Sequence, residues 1–385
     1  MPCRYRASMS DALRIKAGGD RLRRAVEATS DAGIDALLIS PGADLRYLVG
    51  YDAKPLERLT CLVLPARGEP VLVVPRLELA AAEASGAASV VKIVSHEETD
   101  DAYALAAGRL RDALGSDPSI VGVADRMWAE QVLRFRTQLP NAHQVTAGTV
   151  LRPLRLRKQP DEIDALRRAA HAIDAVHERM GEWLRPGRTE REVGHDIADA
   201  IIVAGHVTVN FVIVGSGPNG ASPHHQTSER VIERGDPVVV DIGGAMPDGY
   251  CSDCTRTYVA GGDVDPEFAR SYAVLLDAQK RACDAVRPRV TAQSVDAAAR
   301  DTIAAAGYGD QFIHRTGHGI GLEEHEDPYI VAGNDLALEP GMCFSIEPGI
   351  YLPDRHGARI EDIVAVTAEG VERLDTASRE LVVLD

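Results

Sequence analysis

Val238-Val239-Val240-Asp241-Ile242-Gly243-Gly244, then Ala245-Met246-Pro247-Asp248-Gly249-Tyr250, then Cys251-Ser252-Asp253-Cys254-Thr255, is the stretch on which the reading of this chain turns. The apolar run around Asp241 describes a buried strand. The Gly, Pro and Asp-Gly that follow are turn chemistry. Two adjacent strands joined by that turn bring Asp241 and Asp253 together. Residues two apart in a strand share a face, so Cys251, Asp253 and Thr255 point one way and Cys254 the other. A bare carboxylate in an apolar strand either neutralises or finds a cation.

Three more residues of this kind follow. Glu347 comes directly after Phe344-Ser345-Ile346, Glu361 lies inside Ile360-Glu361-Asp362-Ile363-Val364, and His318 stands in a glycine-rich segment. Four carboxylates and one imidazole supply the charge and the ligand types for two divalent ions. The set is hard and oxygen-rich, which suits Mn²⁺, Fe²⁺, Co²⁺ or Zn²⁺ and does not suit a thiolate metal. Pairing of these acids with Arg256 or Arg359 is the plainer explanation for any one of them alone. All five together point to a metal-dependent hydrolase. Cys251 and Cys254 form a C-x-x-C, but no second cysteine pair completes a zinc site and the motif does not open a helix.

Composition bounds the rest. At 385 residues, 45% apolar and 26% charged, the chain suits two globular domains. Its net charge of −16 is concentrated: residues 1–150 hold 18 Lys/Arg and 19 Asp/Glu, residues 151–385 hold 24 and 39. Such an acidic chain is not expected to bind nucleic acid or an anionic membrane. No run approaches the roughly 18 apolar residues of a membrane helix. Met1–Arg24 is charged and lacks an apolar core, so no secretory signal is expected. Met9 is a candidate start, and the first residues read as unstructured. Six scattered cysteines fit reduced thiols in a cytoplasmic protein.

Residues 1–152 alternate helical and strand patterns and read as an α/β domain. Helical stretches are expected at Arg21–Ala32, ending at Gly33, and at Asp101–Leu114. Strands are expected at Ala36–Ile39, Cys61–Leu64, Val71–Val74, Val90–Val94 and Ile120–Val123. A boundary falls in Arg152–Pro160. Asp161 is then placed to cap a long helix, and Thr189 with Glu192 makes a capping-box pattern at the start of the next. Short strands follow, interrupted by helical Asp265–Val286 and Ala292–Ala306. Helices then strands, twice over, describe an α+β domain over 153–385 with internal symmetry.

The motifs in order are Val240-Asp241-Ile242-Gly243-Gly244, Gly249 to Thr257, Thr316-Gly317-His318-Gly319-Ile320-Gly321, Ser345-Ile346-Glu347-Pro348-Gly349-Ile350-Tyr351 and Arg359-Ile360-Glu361-Asp362. Together they resemble the pita-bread metallopeptidases, the group of aminopeptidase P, prolidase, methionine aminopeptidase and creatinase. The resemblance implies a creatinase-like N-terminal domain before a pita-bread catalytic domain. It implies Asp241 on one ion, His318 and Glu347 on the other, and Asp253 and Glu361 bridging both. His224 and His325 match the substrate-side histidines, which would donate hydrogen bonds to substrate and intermediate, with Glu347 shuttling the proton. Tyr351 and Arg359 match residues that support the ligands. The spacing of twelve between Asp241 and Asp253 is one more than is usual in the family. The extra residue is expected in the turn, because a bulge in the strand would turn Asp253 to the wrong face.

The same resemblance implies a homodimer loaded with two divalent ions, Mn²⁺ first among Co²⁺, Fe²⁺ and Zn²⁺, acting on proline-containing peptides. Some prolidases place an Arg four residues after the second histidine, where it helps hold the dipeptide's carboxylate; Tyr329 stands there. An Xaa-Pro aminopeptidase is therefore expected, with an Xaa-Pro dipeptidase as the alternative and a non-catalytic binding protein as the third reading.

Overall fold

The computed structural model describes residues 9–384, with side chains from residue 18 onward. The expectation about the first residues lies outside that range. Two compact units divide the chain, Met1–Arg155 and Leu156–Asp385.

In the first unit, α1 (Met9–Asp31) leads through Gly33 into β1 (Ala36–Ile39), α2 (Ala43–Val49), the pair β2 (Cys61–Pro65) and β3 (Val71–Pro75), and α3 (Leu79–Ala84). Gly33 has φ +68°, the left-handed conformation that ends a helix cheaply only at glycine. Then come β4 (Lys92–His96), α4 (Ala102–Leu114), β5 (Ile120–Val123), α5 (Ala129–Gln138), β6 (His143–Thr146) and α6 (Gly148–Leu156). The sheet order is β4-β3-β2-β1-β5-β6. The strand expected at Val90–Val94 begins two residues later, because β4 pairs with β3 from Val71↔Lys92 onward. Asp101 caps α4, accepting from the amides of Tyr103 and Ala104.

The second unit repeats one plan twice: a helix pair, then a sheet. Helices α7 (Pro160–His177) and α8 (Glu190–Val203) precede β7 (Thr208–Ser216), β8 (Pro237–Ala245) and β9 (Cys251–Ala260). Helices α9 (Pro266–Ala285) and α10 (Ala292–Ala305) precede β10 (Gly317–Gly319), β11 (Glu326–Ile330), β12 (Cys343–Ile346), β13 (Gly349–Leu352), β14 (His356–Arg359), β15 (Asp362–Val366) and β16 (Val371–Arg373). Strand β17 (Val382–Leu384) returns to lie parallel to β9. The sheets run β17-β9-β8-β7 and β11-β10-β12-β15-β16, with β13-β14 a separate hairpin.

Each helix pair closes its own core. Ile173, Val176, Val193, Ile197 and Ile201 pack on Val214, Val238, Val240 and Ile242. Phe268, Tyr272, Leu275, Val295 and Ile303 pack on Phe344, Ile346, Val364 and Val366. A third cluster joins Leu166 and Ala170 of α7 to Ile320, Cys343 and Ile363. The cap of α7 is Gln159 rather than Asp161, in a capping box with Glu162. At α8 the expected box is present: Thr189 Oγ1 accepts from the Glu192 amide, and Glu192 accepts from the Thr189 amide. Among the described residues no helix is long and apolar enough to cross a membrane.

Candidate metal centre

The β8–β9 pairing is unbroken from Pro237↔Val259 to Ala245↔Cys251. The extra residue therefore lies in the connection, and neither strand is bulged against the other. Asp241 pairs with Thr255, and Asp253 is two residues from Thr255, so all three side chains share one face. Glu361 arrives from the opposite side. It is not inside a strand, as its apolar neighbours suggested, but in the gap between β14 and β15. Its amide donates to Thr255 O at 3.1 Å, and its Oε2 accepts from Thr255 Oγ1 at 2.7 Å. Asp253, Glu361 and His318 offer ligand atoms within 4.8 Å of one another.

His318 is set by its glycine neighbours. A Cβ on Gly317 would stand 1.9 Å from Ser345 O, and one on Gly319 would stand 2.2 Å from Asp327 O. Only glycines let β10 fit this tightly between its neighbours. His318 Nδ1 lies 3.2 Å from Gly319 O, which makes Nδ1 the protonated nitrogen and leaves Nε2 as a lone pair. Nε2 is 3.2 Å from Glu347 Oε1 and 3.7 Å from Asp253 Oδ2. Glu347 is held by its amide on Thr316 O and by Ser345 Oγ, 3.0 Å from its Oε1.

These acids carry more negative charge than the protein neutralises. Arg359 is buried and donates to Asp241 Oδ2 at 2.5 Å, Thr255 Oγ1 at 3.0 Å and the Tyr351 hydroxyl at 2.9 Å. Arg256 does not reach the acids: it pairs with Asp362 and donates to backbone carbonyls. Pairing with arginine thus accounts for one oxygen of one acid. Asp241 Oδ1 and Glu361 Oε1 are buried without any partner. Burial, together with Glu361, Asp241 and Glu347, pushes Asp253 well above the carboxylate range. Burial, Glu347 and Asp241 do the same to Glu361. Burial would also raise Glu347; a protonated His318 would donate to it and bring it down to about 2, a donor that is absent once Nε2 offers its lone pair to an ion. Orphaned oxygens, mutually repelling acids and a lone-pair imidazole aimed at one point are the chemistry of a cation site.

His224 and His325 stand exposed at the rim. The rings of His325 and His318 are 3.9 Å apart. Desolvation lowers the proton affinity of His325, and His318, Arg315 and His224 lower it further, so it is neutral near pH 7.

Two anchors of this rim were not read from the sequence. Glu190, fully buried, accepts from the amide and hydroxyl of Ser216 and from Asn219 at Oε1. At Oε2 it accepts from the amide and hydroxyl of Ser228 and from His225. Burial would raise this acid, but those donors bring it down to about 2. Its grip on His225 and the 3.4 Å contact of Arg359 with Pro223 O pin the residues on either side of His224. Beside His325, Glu326 pairs with Lys158 at 2.6 Å, their side chains 9% and 1% exposed.

A second buried group, Asp174, Cys254 and Asp375, also gathers ligand atoms within 4.8 Å. Burial and the neighbouring acids Asp362 and Asp174 push Asp375 well up.

Residues 164–368 match the model of metallopeptidase family M24, and residues 21–157 match the Creatinase/Prolidase N-terminal domain. The probable dipeptidase PepE of Mycobacterium tuberculosis is 54% identical, over 94% of this chain and 96% of its own length. The Xaa-Pro dipeptidase of Lactobacillus helveticus is 35% identical, over 92% and 96%. The crystal structure of dipeptidase PepE from Mycobacterium ulcerans superposes with a TM-score of 0.90 at 52% identity, covering 96% of this chain and 98% of that one.

Proposed function

Because the chain belongs to metallopeptidase family M24, we propose that it is an Xaa-Pro dipeptidase working with two divalent ions, Mn²⁺ first among them. The observation that carries the reading is the centre itself: Asp253, Glu361 and His318 bring ligand atoms within 4.8 Å of one another, Glu347 lies against His318, Asp241 shares the strand face of Asp253, and two carboxylate oxygens are unpartnered. The relatives named above as dipeptidases support the substrate class. They favour the dipeptidase, the alternative to the aminopeptidase expected from Tyr329.

Asp241, Asp253, His318, Glu347 and Glu361 would hold the ions. When bound, two such ions acidify a water and polarise a carbonyl. The residues do the rest. Arg359 fixes Asp241, and with it the orientation of Thr255 and Tyr351. Glu347 is a carboxylate beside His318 able to take a proton at Oε1 and return it to the leaving prolyl nitrogen. Neutral His325 brings an N–H group to the rim and His224 supplies a second donor there, where a developing oxyanion and the substrate backbone need them.

The test is turnover of an Xaa-Pro dipeptide against Xaa-Pro-Xaa at equal concentration with Mn²⁺-loaded protein. We expect the dipeptide to be favoured at least tenfold, about 1.4 kcal/mol in transition-state terms. Equal or better turnover of the tripeptide would restore the aminopeptidase reading.

A further inference from the structure

A dipeptidase needs a group that recognises a free C-terminal carboxylate one residue beyond the scissile bond. Tyr329 is the cross-strand partner of His318 in the β10–β11 pair. Paired residues project to the same face, with Cβ atoms about 5 Å apart. Since His318 points at the acids, Tyr329 stands beside it on the same face, and one residue of peptide spans about 3.5 Å.

The Tyr329 ring carries a cation. The Cζ of Arg315 lies 4.4 Å from the ring centroid, a cation–π contact. The backbone around Arg315 is held from several sides. His314 O accepts from Arg300, and Thr316 donates through amide and hydroxyl to Asp296. His314 Nδ1 donates to Arg315 O, while its Nε2 accepts from the Tyr351 hydroxyl that Arg359 also reaches. Tyr329 is fixed in turn by Asn334, which donates to its carbonyl at 2.6 Å. Against this rigid frame the guanidinium itself makes no ion pair among the described residues. The other arginines of this region, Arg256, Arg300 and Arg359, are all matched to acids. A half-buried guanidinium, stacked on an aromatic ring and keeping its fork of donors free, is suited to bidentate capture of a carboxylate.

We propose that Arg315, laid on the Tyr329 ring, receives the C-terminal carboxylate of the substrate and so sets the preference for dipeptides. This assignment rests on the dipeptidase reading above. It explains how an aromatic residue at position 329 is compatible with a dipeptidase: the ring serves as the platform, and the charge comes from β10's approach segment.

The experiment compares kcat/KM for an Xaa-Pro dipeptide with that for the same compound as its C-terminal amide, on Mn²⁺-loaded protein. Wild type is expected to favour the free acid by about 100-fold, the usual size of a charge-assisted bidentate contact. In Arg315→Met the acid-to-amide ratio is expected to fall close to unity. Arg315→Lys, which keeps charge but loses the fork, should give an intermediate ratio. Adding Tyr329→Arg to Arg315→Met should restore a preference for the acid. Both substrates are measured on one preparation, so a loss of folded protein cancels from the ratio. If wild type favours the acid and Arg315→Met keeps that preference in full, the assignment of Arg315 is overturned and the dipeptidase reading stands. If wild type itself shows no preference, the dipeptidase reading fails first.

Discussion

The two halves of the centre are built by different means. Asp241, Asp253 and His318 ride on paired strands, with Glu347 and Glu361 in the short gaps that follow or precede them, and all are buried or nearly so. His224 and His325 stand exposed on connecting segments and take their positions from Glu190 and from the Lys158–Glu326 pair. A bound ion can be gripped permanently from inside the core. A substrate that enters and leaves must be met from the surface, and a surface segment is precise only when something buried holds it.

Breaking the buried half should have the larger effect. Asp253→Asn and Glu361→Gln each remove a carboxylate proposed to bridge both ions. We expect metal content and hydrolysis of Xaa-Pro to fall to background, as read by elemental analysis and turnover after Mn²⁺ loading. Full metal content in either variant would erase the distinction between the halves. At the rim, His224→Ala and His325→Ala are expected to lower kcat by roughly 10²–10³ with metal content intact. Loss of metal in either would move that histidine into the ion-binding half.

Glu190→Gln should give the smallest loss of turnover, about 10–100-fold, since it acts only by positioning. It has a second signature. The folded-state pKa of Glu190 is about 2, below its ordinary 4.5. Its stabilisation is therefore fully present above about pH 4.5 and is lost as pH falls through about 2. The variant cannot titrate there. Thermal unfolding across pH should show a lower Tm at neutral pH and a shallower fall on the acid side. An unchanged Tm at neutral pH would mean that the loop bearing His224 does not depend on this acid.

The buried half was legible in the sequence because each acid interrupts an apolar run, an incongruity visible at short range. The glycines around His318 mark a close approach whose cause, the carbonyls of Ser345 and Asp327, shows only in the fold. The anchors of the rim were not legible. Glu190 follows the Thr189 cap and reads as an ordinary first-turn acid, a favourable place for one beside the helix dipole. Its six donors come from residues 216–228. Glu326 finds Lys158 at the far end of the unit's sequence. In the first unit, α5 buries only Gln131 and Phe135, and β6 is the polar edge strand His-Gln-Val-Thr. Neither has the apolar period that reveals an element. Placing Glu361 within a strand failed for the converse reason: Ile360 and Ile363 are apolar because they are buried, on either side of a break between β14 and β15.

The most direct test is an anomalous-scattering map from crystals of Mn²⁺-loaded protein. We expect two peaks per chain about 3.5–4 Å apart, one against Asp241, the other against His318 and Glu347, with Asp253 and Glu361 between them. No peak among these five residues, or a peak confined to Asp174, Cys254 and Asp375, would contradict a dinuclear centre at this site.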